Sequence, residues 1–300
     1  MIAAWLMFAF LSPILYSGAN YCDKILLDHF GYKPVELCGL VYIGFALCSL
    51  VVALIIGGPF AEPSAGIFPF LVGVLFVVYA IPYYKALTLD EASVVVPLFQ
   101  FSPLFVIFAE VGFMGVTLTP EQILGTALIL MCGFAAAIER DTERLFRLRP
   151  ALWFMLLSCV LYAASGPLMS LGLEQNSQNS SLLYQSIGML VTALGLYFGP
   201  RSSRHRTGLR TGGLFWGLLS LNCVLATVAL LGTLRAIDEV SASLVRVVEA
   251  SQPIFVFFLG AVLTRLYPRY VTEVLNRRIV LKKLLIGVGI VVGAFFIQKT

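Results

Sequence analysis

Ten long apolar stretches follow one another along the 300-residue chain, separated by short polar segments. A helix needs about 20 mostly apolar residues to cross the hydrocarbon core of a bilayer. The strands of a membrane barrel are shorter and alternate between apolar and polar residues. Because the stretches are continuous, we predict an all-α integral membrane protein with ten transmembrane helices. They cover approximately residues 1–22, 36–57, 66–84, 92–114, 121–138, 151–173, 181–199, 212–234, 239–263 and 281–298.

Little of the chain is left over for soluble chemistry. Charged residues make up 12% of the sequence, about half of what a soluble domain carries. The longest polar segments, residues 139–150, 200–212 and 264–283, are too short for a catalytic domain. The six cysteines show no metal-ligand spacing, the two histidines support no triad, and no phosphate-binding Gly-Lys-Ser/Thr loop is present. We therefore predict no enzyme activity, no catalytic residue, no metal site and no cofactor.

The two halves of the sequence repeat each other weakly. Lys85, Ala86, Ser93, Ser102, Pro103, Phe105 and Val106 are matched 150 positions later by Arg235, Ala236, Ser243, Gln252, Pro253, Phe255 and Val256. Trp5, Ser17 and Gly18 are matched 148 positions later by Trp153, Ser165 and Gly166. Five crossings per copy would insert the second copy upside down. We therefore predict two inverted five-helix repeats, residues 1–148 and 149–300, with a substrate site where they meet.

Basic residues are distributed asymmetrically between the predicted loops. The loops after the first, third, fifth, seventh and ninth stretches hold almost all of the Lys and Arg residues, whereas the opposite side holds only Arg235 and Lys299. An excess of Lys and Arg marks cytoplasmic loops. We predict that the basic loops are cytoplasmic, that both termini face the other side, and that the net charge of +4 reflects topology rather than a nucleic-acid partner.

Three short runs carry a resemblance to a known family: ALTLDEASVVVPL at 86–98, SPLF at 102–105 and LTPEQILG at 118–125. Together they resemble the EamA-type family of the drug/metabolite transporter superfamily. In that family such a run forms the end of helix 3, helix 4 and the start of helix 5. The resemblance implies the five-plus-five helical fold and secondary transport, in a multi-pass protein of a bacterial cytoplasmic membrane.

The chain departs from that family in two places, and its two copies differ from each other in a third. Gly115-Val116 stands where the family commonly has Gly-Glu before a Ser/Thr-Pro step. Known members tend to keep both termini in the cytoplasm, whereas the basic residues here predict the reverse. The second copy also carries about twelve extra residues before its last helix, within 267–283, which we expect to lie along the headgroup interface as an amphipathic element or to form a plain basic loop.

The ninth stretch holds a charged pair. Arg246 and Glu249 are three residues apart and share a helix face with Gln252. Charge inside a membrane is costly and usually faces a cavity or is paired. On one interpretation Arg246 binds a carboxylate or phosphate while Glu249 orients the solute or meets an amine. On the other, the two residues form a structural ion pair.

Further polar candidates lie in other stretches. We expect Asn20 and Gln100 to line a pathway, because a large amide is hard to satisfy against hydrocarbon, and we add Tyr16 and Asn222 to the substrate-binding set. Each of these side chains can instead bond a neighbouring helix. Glu110 has no opposite charge nearby in sequence, so it is either a proton-coupling group or a glutamate that reaches interfacial water.

Two features bear on motion and assembly. Pro103 and Pro253 occupy equivalent repeat positions, where each proline removes a backbone hydrogen bond and can act as a hinge or a static kink. The run from Gly287 through Gly289 to Gly293 has a small-xxx-small spacing that permits close helix packing and is compatible with a homodimer face.

Together these features predict a secondary transporter of a small polar or amphipathic metabolite, such as an amino acid, coupled to protons or to exchange. Two alternatives remain open. The first is a flippase in which Arg246 meets the headgroup of a phosphate-bearing lipid and the basic loops gather anionic lipid. The second is a membrane scaffold or subunit, for which a dry, sealed interior is expected.

Overall fold

The computed structural model describes residues 4–57, 65–102, 105, 119–139, 147–199, 212–239, 245, 248–249, 251–273 and 277–298. These residues are overwhelmingly helical. A pair of two-residue strands, β1 (Ile138–Glu139) and β2 (Arg147–Leu148), runs antiparallel with Ile138 opposite Leu148. The helices are α1 (Ala4–Phe30), α2 (Pro34–Ile56), α3 (Ile67–Leu87), α4 (Ala92–Leu98) with a 3-10 turn at Phe99–Phe101, α5 (Pro120–Ala137), α6 (Pro150–Ala163), α7 (Ser165–Gln175), α8 (Gln178–Phe198), α9 (Gly213–Glu239), α10 (Gln252–Leu266) and α11 (Arg277–Gln298).

The helices follow the predicted stretches, and five segments are long and apolar enough to cross a membrane. These are Pro34–Ile56, Ile67–Leu87, Pro150–Gln175, Gln178–Phe198 and Gly213–Ala236. The prediction of a helical membrane protein is therefore confirmed. Ten crossings and the inverted repeat stay predictions, since the fourth and ninth stretches are described only in part.

Local sequence explains where several helices begin and break. Pro34 and Pro150 stand in the first turns of α2 and α6, where a missing N–H costs nothing. Ser177 caps α8 by accepting a hydrogen bond from the Ser180 N–H at 3.2 Å. The sixth stretch is interrupted at Ala164, between α6 and α7, because Pro167 lacks the N–H that a continuous helix would direct to residue 163.

Helix packing relies on glycines where α3 crosses α8. A Cβ added at Gly73 would lie 2.0 Å from the Gln185 carbonyl oxygen, and one at Gly188 would lie 2.1 Å from the Phe70 carbonyl oxygen. The two backbones therefore touch at this crossing. Large apolar side chains such as Ile55 and Phe258 point outward and are mostly exposed, as expected of a lipid-facing surface.

The glycine run near the C-terminus packs within the chain. A Cβ at Gly289 would lie 2.4 Å from Cys132 Sγ, and one at Gly293 would lie 2.8 Å from the Gly125 carbonyl oxygen, both on α5. Gly289 and Gly293 thus serve the α5–α11 contact, whereas a Cβ at Gly287 would lie 2.9 Å from Ile254 Cγ1 on α10. A homodimer stays a prediction without these glycines as its evidence.

Candidate functional site

A central cavity of about 130 Å³ lies among α1, α2, α3, α4, α6, α9 and α10. Helices from residues 1–148 and from residues 149–300 both contribute to its walls. Five of the predicted substrate-binding residues line it: Tyr16, Asn20, Asn222, Glu249 and Gln252. The cavity wall is therefore polar in part, unlike the dry interior expected of a scaffold.

Four other predicted residues fall outside what the structure describes. The structure does not describe Arg246, Glu110 or Pro103, nor the side chain of Gln100. Their roles stay predictions. The second hinge candidate, Pro253, is buried in the first turn of α10, directly after a turn at Ser251. This helix therefore starts at Gln252, and Pro253 stands in its first turn, where the missing N–H removes no helical hydrogen bond.

The most buried charge on the cavity wall is Asp23, which the sequence analysis did not select. Its residue surface is 6% exposed. Asp23 Oδ1 accepts a hydrogen bond from the Tyr84 hydroxyl at 2.6 Å and another from Asn222 Nδ2 at 2.6 Å. The Asn222 amide also donates to the Ala19 carbonyl at 3.1 Å, so these bonds join α1, α3 and α9.

The sequence did contain a signal for this residue. Tyr16, Asn20 and Asp23 are spaced four and three residues apart, which places them on one helix face. The predicted first stretch ends at residue 22, directly before the charged residues Asp23 and Lys24. The helix instead continues to Phe30, since both charges find partners inside the protein.

Two further bonds organise the polar wall. The Tyr83 hydroxyl donates to Asn20 Oδ1 at 2.8 Å. The Thr233 hydroxyl lies 2.6 Å from Glu249 Oε1 and 3.0 Å from Ser12 Oγ. Both predicted residues, Asn20 and Glu249, are therefore held in place by neighbouring helices while lining the cavity.

Another part of the cavity wall is aromatic. The Tyr79 and Tyr162 rings meet edge to face with centroids 5.0 Å apart, the Phe99 and Tyr162 centroids are 4.8 Å apart, and the Tyr79 and Phe99 centroids are 5.8 Å apart. Phe76 completes this group from α3. The cavity thus combines an apolar aromatic wall with a polar wall, the usual composition of a small-molecule site.

A second polar cluster, here called the basic-end network, lies where α3 leads into α4 and α10 leads into α11. Lys283 Nζ is 2.7 Å from Glu91 Oε2, 3.0 Å from Glu273 Oε2 and 2.6 Å from Ser93 Oγ. The Ser93 hydroxyl also donates to Glu273. The Tyr21 hydroxyl lies 2.9 Å from Glu273 Oε1. The network therefore connects α1 and α4 with α11 and the segment before it.

Glu273 corrects one expectation. It belongs to the extra segment 267–283, for which we expected an interfacial amphipathic element or a plain loop. Instead the Glu273 carboxylate is buried at 8% residue exposure, and its backbone N–H donates to Thr264 Oγ1 at 3.0 Å. The extra residues thus deliver an acidic side chain into the interior of the bundle.

The pKa values of the two carboxyl groups in the network shift in opposite directions. Burial raises the pKa of Glu91, and the neighbouring Glu273 adds to the effect. Burial also acts to raise the pKa of Glu273, but its interactions with Glu91, Lys283 and Ser93 outweigh burial and lower it. Glu273 is therefore the carboxylate that carries the negative charge facing Lys283.

Two more contacts bring basic loops to the same end of the bundle. Lys24 Nζ donates to the carbonyls of Leu87 at 2.6 Å and Asp90 at 2.9 Å. Arg149, before α6, pairs with Asp90 at 2.5 Å. These contacts and the network place loops after the first, third, fifth and ninth stretches together, as the predicted topology requires.

Within the described ranges no group of three or more His, Cys, Asp or Glu side chains is arranged to hold a metal ion. The six cysteines are free thiols, four of them buried. The described wall of the cavity consists of hydrogen-bonding, carboxylate, apolar and aromatic side chains.

Comparisons with known proteins agree with this architecture. Residues 3–135 match the family described as "EamA-like transporter family", which confirms the predicted family over that part of the chain. A solved structure titled "Crystal structure of protein" has a TM-score of 0.62 at 13% identity and covers 100% of this chain and 97% of that one. This likeness concerns the fold alone. A search of curated proteins finds no match.

Proposed function

We propose that this chain, whose residues 3–135 match the EamA-like transporter family, is a secondary transporter for a small polar or amphipathic metabolite. The observation that carries the proposal is the central cavity, which lies between helices of residues 1–148 and helices of residues 149–300. A transporter built from repeats places its substrate at such an interface. The cavity volume of about 130 Å³ is close to that of engineered cavities that bind benzene, which favours a small solute.

The pattern of helix packing supports two related halves. Taking α6 and α7 as the sixth stretch, α8 to α11 are the seventh to tenth. The first stretch packs on the eighth and the third packs on the sixth, while the second packs on the seventh and the fifth on the tenth. Five is added to each stretch number, and ten is subtracted where the sum exceeds ten. This operation turns the first–eighth pair into the sixth–third pair and the reverse, and it leaves the second–seventh and fifth–tenth pairs unchanged. A twofold relation between five-helix units has this property.

In the proposed cycle the basic-end network closes the predicted cytoplasmic end of the cavity. Lys283 and Glu273 come from the second half, whereas Glu91 and Ser93 come from the first. Opening this end requires these bonds to break. Arg246 and Glu249 engage the solute, while the fourth and ninth stretches rock about Pro103 and Pro253.

Cysteine accessibility tests alternating access without knowledge of the substrate. Ala226 lines the cavity, whereas the fully buried Ala9 does not. Each is replaced by Cys in a background lacking the six native cysteines, and a membrane-impermeant thiol reagent is added to right-side-out or inside-out vesicles. We expect A226C to be labelled from both sides and A9C from neither.

A second variant sharpens that test. Adding Lys283→Met to A226C removes the cation of the basic-end network, so labelling from the cytoplasmic side should become faster relative to the other side. Labelling of A226C from one side only, with or without K283M, would contradict alternating access and favour a static scaffold.

A further inference from the structure

We propose that the cavity recognises an organic ammonium group through the Asp23 carboxylate, with the aromatic wall receiving the rest of the solute. This assigns a substrate class to the transport site and so rests on the proposed function. The inference comes from the arrangement of one carboxylate, its two neutral donors and three rings.

Asp23 has one oxygen in use and one available. Both of its hydrogen bonds, from Tyr84 and Asn222, end on Oδ1. No hydrogen bond or ion pair to Oδ2 is formed by the part of the protein that the structure describes. Because Asp23 lines the cavity, a ligand there can supply the donor that Oδ2 lacks.

The neighbouring cation of the same helix is engaged elsewhere. Lys24 donates to the Leu87 and Asp90 carbonyls and lies 3.2 Å from Asp28. A buried carboxylate without a cation carries a large free-energy cost, which two neutral hydrogen bonds offset only in part. Among the residues that the structure describes, Asp23 has no ion-pair partner, and an ammonium group bound in the cavity would supply one.

The aromatic rings that line the same cavity suit the same ligand. Tyr79, Phe99 and Tyr162 stand with centroids 4.8 to 5.8 Å apart along one wall. Aromatic faces attract cations and also pack against apolar groups. A solute with one ammonium group and a compact apolar body therefore fits both walls, whereas an anion would meet the Asp23 carboxylate.

The carboxylate of the site belongs to one half of the chain only. With the 148-residue offset that matches Ser17 to Ser165, Asp23 corresponds to Leu171, which is 37% exposed. The carboxylate thus has no counterpart in the second repeat, so a single ammonium group is recognised rather than a symmetric pair.

The test compares charged and neutral ligands of one shape. Benzylamine and benzyl alcohol are titrated by calorimetry into the purified full chain. The wild-type protein should bind benzylamine at least about tenfold more tightly than benzyl alcohol, the order expected of one charged hydrogen bond. Asp23→Asn should reduce that preference to less than about threefold.

Matched variants locate the effect. Asp28→Asn removes an exposed carboxylate of the same helix that does not line the cavity, and this variant should keep the preference. Equal affinity for the amine and the alcohol in the wild-type protein would overturn the inference. So would a preference in D23N as strong as in the wild-type protein.

If D23N does not fold, the wild-type protein decides the question by chemical protection. A membrane-permeant carbodiimide modifies intramembrane carboxyl groups, and mass spectrometry locates the modified peptide. A primary amine would couple to the activated carboxyl group, so the protecting ligand is N,N-dimethylbenzylamine, whose ammonium form keeps one N–H and cannot form a stable amide. This ligand should slow modification of Asp23, whereas benzyl alcohol should not; the same rate with both would overturn the inference. Binding is measured in detergent and does not need transport, so a failure of the accessibility test leaves this result separately readable.

Discussion

The α3–α8 crossing permits a quantitative test, because a methyl group at Gly188 would collide with backbone. The added Cβ would lie 2.1 Å from the Phe70 carbonyl oxygen, whereas ordinary contact begins at 3.4 Å. Replacement by alanine must therefore push the two helices apart by more than 1 Å. The obstructing atom belongs to the main chain and cannot rotate away, unlike the end of a flexible side chain.

The expected loss of stability follows from two opposing effects. Overpacking typically costs about 1–3 kcal/mol, and a backbone obstruction belongs at the upper end. Alanine recovers about 0.5–1 kcal/mol relative to glycine in a helix. Gly188→Ala should therefore lower the free energy of unfolding by about 2 kcal/mol, which corresponds to a melting temperature lower by roughly 4 °C for a chain of this size.

The matched control is Gly195→Ala, one glycine further along α8. A Cβ at Gly195 meets nothing within 4 Å, so helix propensity should leave this variant as stable as wild type or slightly more stable. Fluorescence-detected size-exclusion chromatography after heating, in one detergent, measures all three proteins. Equal melting of G188A and wild type would refute the close approach of α3 and α8.

Three further substitutions test contacts between helices. Lys283→Met leaves the Glu273 carboxylate without its cation and should cost about 3–5 kcal/mol of stability. Replacing the exposed neighbour, Lys282→Met, should cost far less. The same melting temperature for both variants would contradict the network. Tyr21→Phe removes the hydroxyl that lies 2.9 Å from Glu273 Oε1 and should cost about 1–3 kcal/mol, detected as a lower melting temperature, and no change would show that this bond contributes nothing. Asn179 donates to the Ala53 and Gly57 carbonyls at 3.0 and 2.6 Å at the end of α2, so Asn179→Ala should cost about 1–2 kcal/mol and speed amide exchange there; unchanged exchange would exclude the cap.

The course of the helices could be predicted because hydropathy alone decides which segments a bilayer accepts. Polar residues inside an apolar stretch were also informative. Asn20 was selected because amides are costly in hydrocarbon, Asn222 was added as a further polar candidate, and both line the cavity. An amide side chain inside the bilayer either faces a cavity or forms hydrogen bonds with a neighbouring helix.

Residues whose roles depend on distant partners could not be predicted in this way. Asp23 and Lys24 lie just beyond the predicted first stretch. Nothing near them in the sequence indicates that Tyr84, Asn222 and backbone carbonyls of other segments bind them. Glu273 looked like a loop residue for the same reason, although Lys283 and Tyr21 bind it inside the bundle. Charges near a predicted membrane boundary are ambiguous until the neighbouring helices are known.

One turn of α1 connects the cavity with the basic-end network and with the backbone carbonyls at the end of α3. Tyr21 contacts the carboxylate of Glu273, Asp23 faces the cavity, and Lys24 holds the carbonyls that follow α3. These three side chains leave the helix in different directions from a rigid backbone segment. A rotation or shift of α1 that accommodates a solute at Asp23 must therefore also displace Tyr21 and Lys24 from their partners. Occupancy of the cavity and closure of the basic end are thus linked mechanically through a single helical turn, with no loop required to relay the change.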